Sequence, residues 1–189
     1  KRAFDIIGAL IGLALCSPLF LVISILITYQ SNGPIFFRQI RIGYKGRPFA
    51  IFKFRTMSSI VEEEGPQLVA KCDSSNSTRL EQFLRGHHLD ELPQLWNVLR
   101  GDMSFVGPRP ERKYFIDKIL RHTDRYQLIY EMKPGLTSEA TLYNGYTDTM
   151  EKMLKRMEMD IHYLEHRTLW LDFTIIVKTV VNILTGKKF

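Results

Sequence analysis

Near the start of the chain, 24 consecutive residues, 6–29, carry no charge (IIGALIGLALCSPLFLVISILITY). One helix needs about 20 apolar residues to cross a ~30 Å hydrocarbon layer, so this run is long enough to enter a bilayer. A soluble core helix of that length without a polar face would be unusual. The run is also longer than the apolar region of a cleaved signal peptide and lacks its cleavage site. Ser17-Pro18 falls midway, and an interior proline kinks or breaks a helix at a cost of about 3 kcal/mol. Each half then measures about 12 residues, or ~18 Å, which suffices for one leaflet. Both flanks are basic, with Lys1 and Arg2 before and Arg38 and Arg41 after, and positive residues favour the cytoplasmic side. The expectation is a re-entrant anchor over residues 1–32. It is a helix-break-helix that turns at Ser17 and Pro18 and returns to the same face, with Ser17 bonding a carbonyl freed by the proline. A kinked spanning helix is the alternative.

The remaining residues, 33–189, are expected to form one structural unit on the cytoplasmic face, since 189 residues argue for a single domain. Twenty-six Lys and Arg against 20 Asp and Glu give a net charge of +6, which suits an anionic partner. Two cysteines do not make a disulfide framework, and a reducing compartment fits better. The basic residues form no single stripe and no nucleic-acid motif appears, so nucleic acid is not expected. Residues 34–42 and 47–57 alternate around the glycine-bounded turn 43–46 and read as a β-hairpin. On its second strand Phe52 and Phe54 share one face, and Lys53 and Arg55 the other. Those two cations serve either a solvated edge or a phosphate. Residues 58–77 read as a loop, and 78–84 as a helix ending near Gly86.

The densest signal lies between Arg85 and Pro110. Leu92, Leu95, Trp96 and Leu99 recur at helical spacing, and Pro93 is tolerated only in a first turn, so a helix is expected from about Asp90. Asp90 would then cap that helix, and Glu91 would suit its positive end. The same geometry also serves chemistry. A carboxylate kept ionised at a helix N-terminus can act as nucleophile, and a neighbouring one can hold Mg²⁺ on phosphate oxygens. Arg109, between two prolines, presents a planar fork that suits phosphate.

Several strings together carry a resemblance. They are the basic-apolar segment with Ser17-Pro18, Phe52-Lys-Phe-Arg-Thr-Met57, Leu89-Asp-Glu-Leu-Pro-Gln-Leu95, and Gly101-Asp-Met-Ser-Phe-Val-Gly-Pro-Arg-Pro110. In order and over most of its length, the chain resembles the bacterial sugar transferases, and within them the monotopic polyprenyl-phosphate phosphoglycosyl transferases. The resemblance implies a two-step transfer at the cytoplasmic face of the bacterial inner membrane, at the start of surface glycan synthesis. Asp90 matches the aspartate that attacks the sugar-bearing phosphate of a nucleoside diphosphate sugar, usually a UDP-sugar. UMP leaves, and polyprenyl phosphate then takes the phosphosugar from the carboxylate. Glu91 matches the acid associated with Mg²⁺. Lys53, Arg55, Arg85 and Arg109 match basic positions assigned to phosphate binding, and Asp160 matches a further acid of unassigned role. One stretch departs: where the family commonly reads Asn-Gly-Arg, residues 138–146 end in Asn144-Gly-Tyr146 with no cation.

Toward the C-terminus, Met150, Met153, Leu154, Met157, Ile161 and Leu164 mark an amphipathic core helix. Residues 169–184, broken by Asp172 and Lys178 and followed by Lys187-Lys188, suit an interfacial helix on phospholipid. The expected fold class is α+β, mostly helical with a small β-hairpin, in a monotopic membrane protein. Further expected partners are a second copy of the chain or downstream glycosyltransferases. The competing functional class is a non-catalytic membrane-surface module that binds anionic lipid or a partner glycan enzyme. A chain starting at Lys1 is expected to be a fragment of something longer.

Overall fold

A computed structural model describes residues 1–30, 33–56, 77–145 and 147–185. The apolar run forms helix α1 (Arg2–Gln30), uninterrupted through Pro18. The expected break is therefore not a loss of helix. Pro18 has no N–H for the Ala14 carbonyl four residues back, and Ser17 Oγ donates to that same carbonyl at 2.8 Å. Of the long apolar side chains on α1, Ile7, Leu10, Ile11, Leu15, Leu21, Val22 and Ile25 are all exposed. By length and composition the helix could cross a membrane. Only a narrow stripe, Asp5, Ala9, Ile23 and Ile27, is buried against the rest of the molecule.

The hairpin forms from β1 (Phe36–Ile42) and β2 (Pro48–Phe54), antiparallel with Phe36 opposite Phe54 and Ile42 opposite Pro48. A 3₁₀ turn, Tyr44–Gly46, joins them, with Lys45 and Gly46 at positive φ. β2 ends at Phe54 rather than at Met57, so Arg55 lies just past the strand; Met57 and the expected loop residues 58–76 lie outside the described residues. Helix α2 (Arg79–Gly86) begins where expected. Thr78 Oγ accepts from Glu81 N while Glu81 Oε2 accepts from Thr78 N, a reciprocal cap.

The helix expected from Asp90 is corrected. His88 adopts a left-handed conformation (φ 54°), Leu89–Glu91 form a 3₁₀ turn, and helix α3 (Gln94–Arg100) starts after Pro93. Proline at that boundary forfeits only an N–H that has no helical partner. Asp90 is thus the middle residue of a tight turn and not the cap of α3. Beyond α3 come β3 (Ser104–Val106), α4 (Lys113–Leu120), a 3₁₀ segment Asp124–Glu131, β4 (Gly135–Thr137) and α5 (Glu139–Asn144). β3 and β4 pair in parallel, a second small sheet that the alternation did not reveal because each strand has only three residues. Gly107 and Gly135 cross so closely that a Cβ on Gly107 would meet Lys133 O at 2.3 Å, and one on Gly135 would meet Gly107 N at 2.2 Å. This crossing fixes the direction in which the chain leaves β3 toward Arg109.

Helices α6 (Met150–His166) and α7 (Leu169–Thr185) complete the fold. Met153, Met157 and Ile161 at helical spacing form the main core with Phe115, Ile116, Ile119, Tyr126 and Ile129. Helix α7 exposes Leu169, Trp170, Phe173, Val177, Val180 and Val181. Its acidic residue, Asp172, points inward, accepting from Lys1 Nζ at 2.7 Å and from the Tyr163 hydroxyl.

Candidate active site

Three elements bring the site together. Lys53 comes from the end of β2, Asp90 and Glu91 from the 3₁₀ turn, and Arg109 from the segment after β3. Asn97 lies on α3, which follows the 3₁₀ turn, and bonds to β2. It is fully buried, donating to Ala50 O at 2.7 Å and accepting from Phe52 N at 3.1 Å. That side chain locks the edge of β2 to α3 and sets the height of Lys53. Lys53 Nζ then lies 2.6 Å from Glu91 Oε1, and Arg109 Nη2 lies 3.7 Å from the same oxygen.

The two adjacent carboxyls are driven apart. Burial alone would favour the neutral form of Glu91, but Lys53 and Arg109 outweigh it and hold the carboxyl below the usual carboxylate range. Asp90 is buried, and desolvation raises its carboxyl above that range; Glu91 raises it further, while Lys53 and Arg109 pull the other way. His88 precedes them in a strained conformation that an L residue rarely adopts, and its burial disfavours the imidazolium. The result is an acid whose ionised form is favoured between two cations, beside a desolvated one.

A second cluster lies next to the first and shares Arg109 with it. A cleft lined by Arg109, Glu111, Tyr126, Arg156 and Asp160 has apolar walls of Ile119, Ile129, Met153 and Met157. Glu111 sits between Arg156 at 3.6 Å and Arg41 at 3.8 Å. Asp160 is buried, and its Oδ1 has no hydrogen-bond partner among the described residues. Burial pushes this carboxyl up to about 8 despite Arg156, with Glu111 and Glu139 adding to the rise. Arg156 Nη2 donates to Gly145 O at 3.1 Å, so a guanidinium from α6 reaches the stretch that lacks its own cation. Tyr146 lies outside the described residues.

Of the expected residues, Lys53, Asp90, Glu91 and Arg109 come together, and Asp160 stands in the adjoining cleft. Arg55 places its guanidinium against Gly33, where an added Cβ would lie 1.9 Å from Nη1. Arg85, in the last turn of α2, directs Nε to Glu81 O at 3.4 Å. Sequence reasoning missed Arg41, Glu111 and Arg156. Glu111, so close to Pro110, was the available signal for an acid beside the basic arm.

The family described as "Bacterial sugar transferase" matches residues 1–186. The chain is 40% identical over 186 residues to a UDP-N-acetylgalactosamine-undecaprenyl-phosphate N-acetylgalactosaminephosphotransferase of Aeromonas hydrophila, covering 98% of this chain and 44% of that one. It is 41% identical over 182 residues to a UDP-glucose:undecaprenyl-phosphate glucose-1-phosphate transferase of Klebsiella pneumoniae, covering 95% and 39%. It is 42% identical over 188 residues to a protein of the same description from Caulobacter vibrioides, covering 98% and 70%. The chain thus spans about two-fifths of the length of the first two relatives. With a match that runs through both the apolar helix and the Lys53–Asp90–Glu91–Arg109 cluster, the chain belongs to the bacterial sugar transferase family.

Proposed function

We propose that the chain transfers a sugar 1-phosphate from a UDP-sugar to membrane polyprenyl phosphate through a phosphosugar ester on Asp90. The observation that carries this reading is the division of labour between neighbours, with Glu91 fixed as an anion by Lys53 and Arg109 and Asp90 desolvated beside it. Burial strips water from the Asp90 oxygens, which favours attack on phosphorus once the carboxyl is ionised. In the first step an Asp90 oxygen bonds to the sugar-bearing phosphorus, and the bond from that phosphorus to the bridging oxygen breaks. UMP leaves with the electron pair. In the second step a polyprenyl phosphate oxygen attacks the same phosphorus, the bond to Asp90 breaks, and polyprenyl-diphospho-sugar departs with the carboxylate restored. Lys53 and Arg109 offset charge on the transferring group in both steps.

The two carboxyls supply hard oxygen donors of the kind Mg²⁺ takes when most of its shell is water and substrate phosphate. Glu91 and Asp90 would hold the ion, which when bound would neutralise charge on the diphosphate.

The reading places the site at the cytoplasmic face of the bacterial inner membrane, on a re-entrant α1. Supporting this, both ends of the helix touch one charged body: Gly8 lies against Phe105, and Ile27 belongs to the cluster of Phe54 and Leu84. A helix whose ends opened on opposite faces would carry that body into hydrocarbon. The exposed row on α7 fits the same surface.

The test is UMP release from a panel of UDP-sugars with Mg²⁺ and polyprenyl phosphate. Wild type should release UMP and Asp90→Asn should not. A wild-type chain inert across the panel yet bound to anionic vesicles would favour the surface-module reading instead.

A further inference from the structure

Asp5 is the one acidic residue in the membrane helix, and it is buried. Its Oδ1 accepts from Ser104 Oγ at 2.9 Å and from Phe105 N at 3.2 Å. β3 already spends one edge on the β4 side, where Ser104 N donates to Pro134 O and Ser104 and Val106 pair with Gly135 and Thr137. Strand alternation directs the intervening Phe105 N–H away from β4, and it ends on Asp5. The membrane helix thus supplies, through one carboxylate, the partner that a third strand would otherwise provide. One turn earlier, Arg2 donates to Val98 O at 2.6 Å and to Leu99 O at 2.7 Å, two of the carbonyls in the last turn of α3. Gly8 and Gly12 let α1 approach Phe105 and Leu95 at van der Waals distance.

These contacts fall on two elements only, and those elements bracket the site. The turn with Asp90 and Glu91 leads into α3, and Arg109 lies three residues beyond the end of β3. We propose that Asp5 is a positioning residue, which pins β3 and so holds Arg109 in register with Glu91, making the seating of the membrane helix a condition for an aligned phosphate site. Displacements of about 1 Å in such an arrangement cost rate far more than they cost binding. Asp5 touches no substrate and acts through the Ser104–Arg109 segment.

The test uses the full chain in phospholipid nanodiscs and first reads hydrogen exchange in the peptide covering residues 104–109, which requires no turnover. Asp5→Ala should speed that exchange at least tenfold. Asp5→Asn, whose side-chain carbonyl still accepts both bonds, should stay within threefold of wild type. Ser104→Ala keeps the Phe105 bond and should fall between; it decides the matter if Asp5→Ala does not insert, and wild-type exchange in it would then overturn the proposal. Kinetics, which rest on the function proposed above, should show UMP release about tenfold slower in Asp5→Ala, with KM for the donor within twofold and recovery in Asp5→Asn. Unchanged exchange in Asp5→Ala, equal acceleration by Asn and Ala, or faster exchange with unchanged kcat would each overturn the assignment. If wild type releases no UMP, the proposed function fails while the exchange results still judge the contact.

Discussion

The Lys53 ammonium lies 2.6 Å from Glu91 Oε1 and so ties the end of the hairpin to the turn that carries Asp90. Both side chains are mostly shielded from water. Removing one partner of a shielded pair strands the other, which costs more than the pair contributes. Lys53→Gln should lower the rate of UMP release by about 100-fold, some 2.7 kcal/mol, and Lys53→Arg should recover part of it. Initial rates at saturating donor check this; a rate within twofold of wild type for Lys53→Gln would remove Lys53 from the site.

In the proposed mechanism Asp90 attacks as the carboxylate, and burial together with Glu91 holds its carboxyl above the usual carboxylate range. The first step should therefore gain rate as pH rises through that raised value and level off above it. Glu91→Gln removes a like charge, so the acid limb should move to lower pH even as the plateau falls. Single-turnover UMP release across pH 4–9 measures both; an acid limb that moves upward in Glu91→Gln would contradict the electrostatic assignment.

Asp160 gives a stability prediction of definite sign. Its folded carboxyl titrates at about 8, above its ordinary value of 3.8. Between those two pH values the folded state binds more protons than the unfolded state, so stability falls as pH rises through that window. Asp160→Asn should remove this decline and raise the melting temperature at pH 8 by a few degrees, with little effect at pH 4. A thermal scan in detergent at the two pH values reads it, and equal shifts at both would count against the account.

Topology is separable from chemistry. With Cys16 and Cys72 replaced, Lys1→Cys and Pro34→Cys should both react with a membrane-impermeant thiol reagent from the same side of sealed vesicles. Reaction from opposite sides would mean a spanning helix.

Much of this was legible in the sequence because it depends on local pattern. The apolar run marked α1, the end of the polar stretch before residues 78–84 marked α2, and methionine spacing marked α6. Lys53, Asp90, Glu91 and Arg109 could be proposed from residue type and their strings. Other features depend on partners distant in the chain. Asn97 reads as an ordinary helix residue until Ala50 and Phe52 arrive beside it. Asp5 stands just before the uncharged run and Asp172 breaks an apolar segment, yet both point inward to make contacts about 100 and 171 residues away. The 3₁₀ turn under Asp90 was hidden because Leu92, Leu95 and Leu99 continue its periodicity into α3 without a seam. β3 and β4 are too short to show alternation at all.

The most direct measurement is intact-protein and peptide mass spectrometry after incubating the chain with Mg²⁺ and its turnover-competent UDP-sugar, with no polyprenyl phosphate present. The account predicts a mass gain equal to one phosphosugar, located on the peptide that contains Asp90 and absent in Asp90→Asn. Normal turnover with no such adduct at any time in the reaction would contradict it.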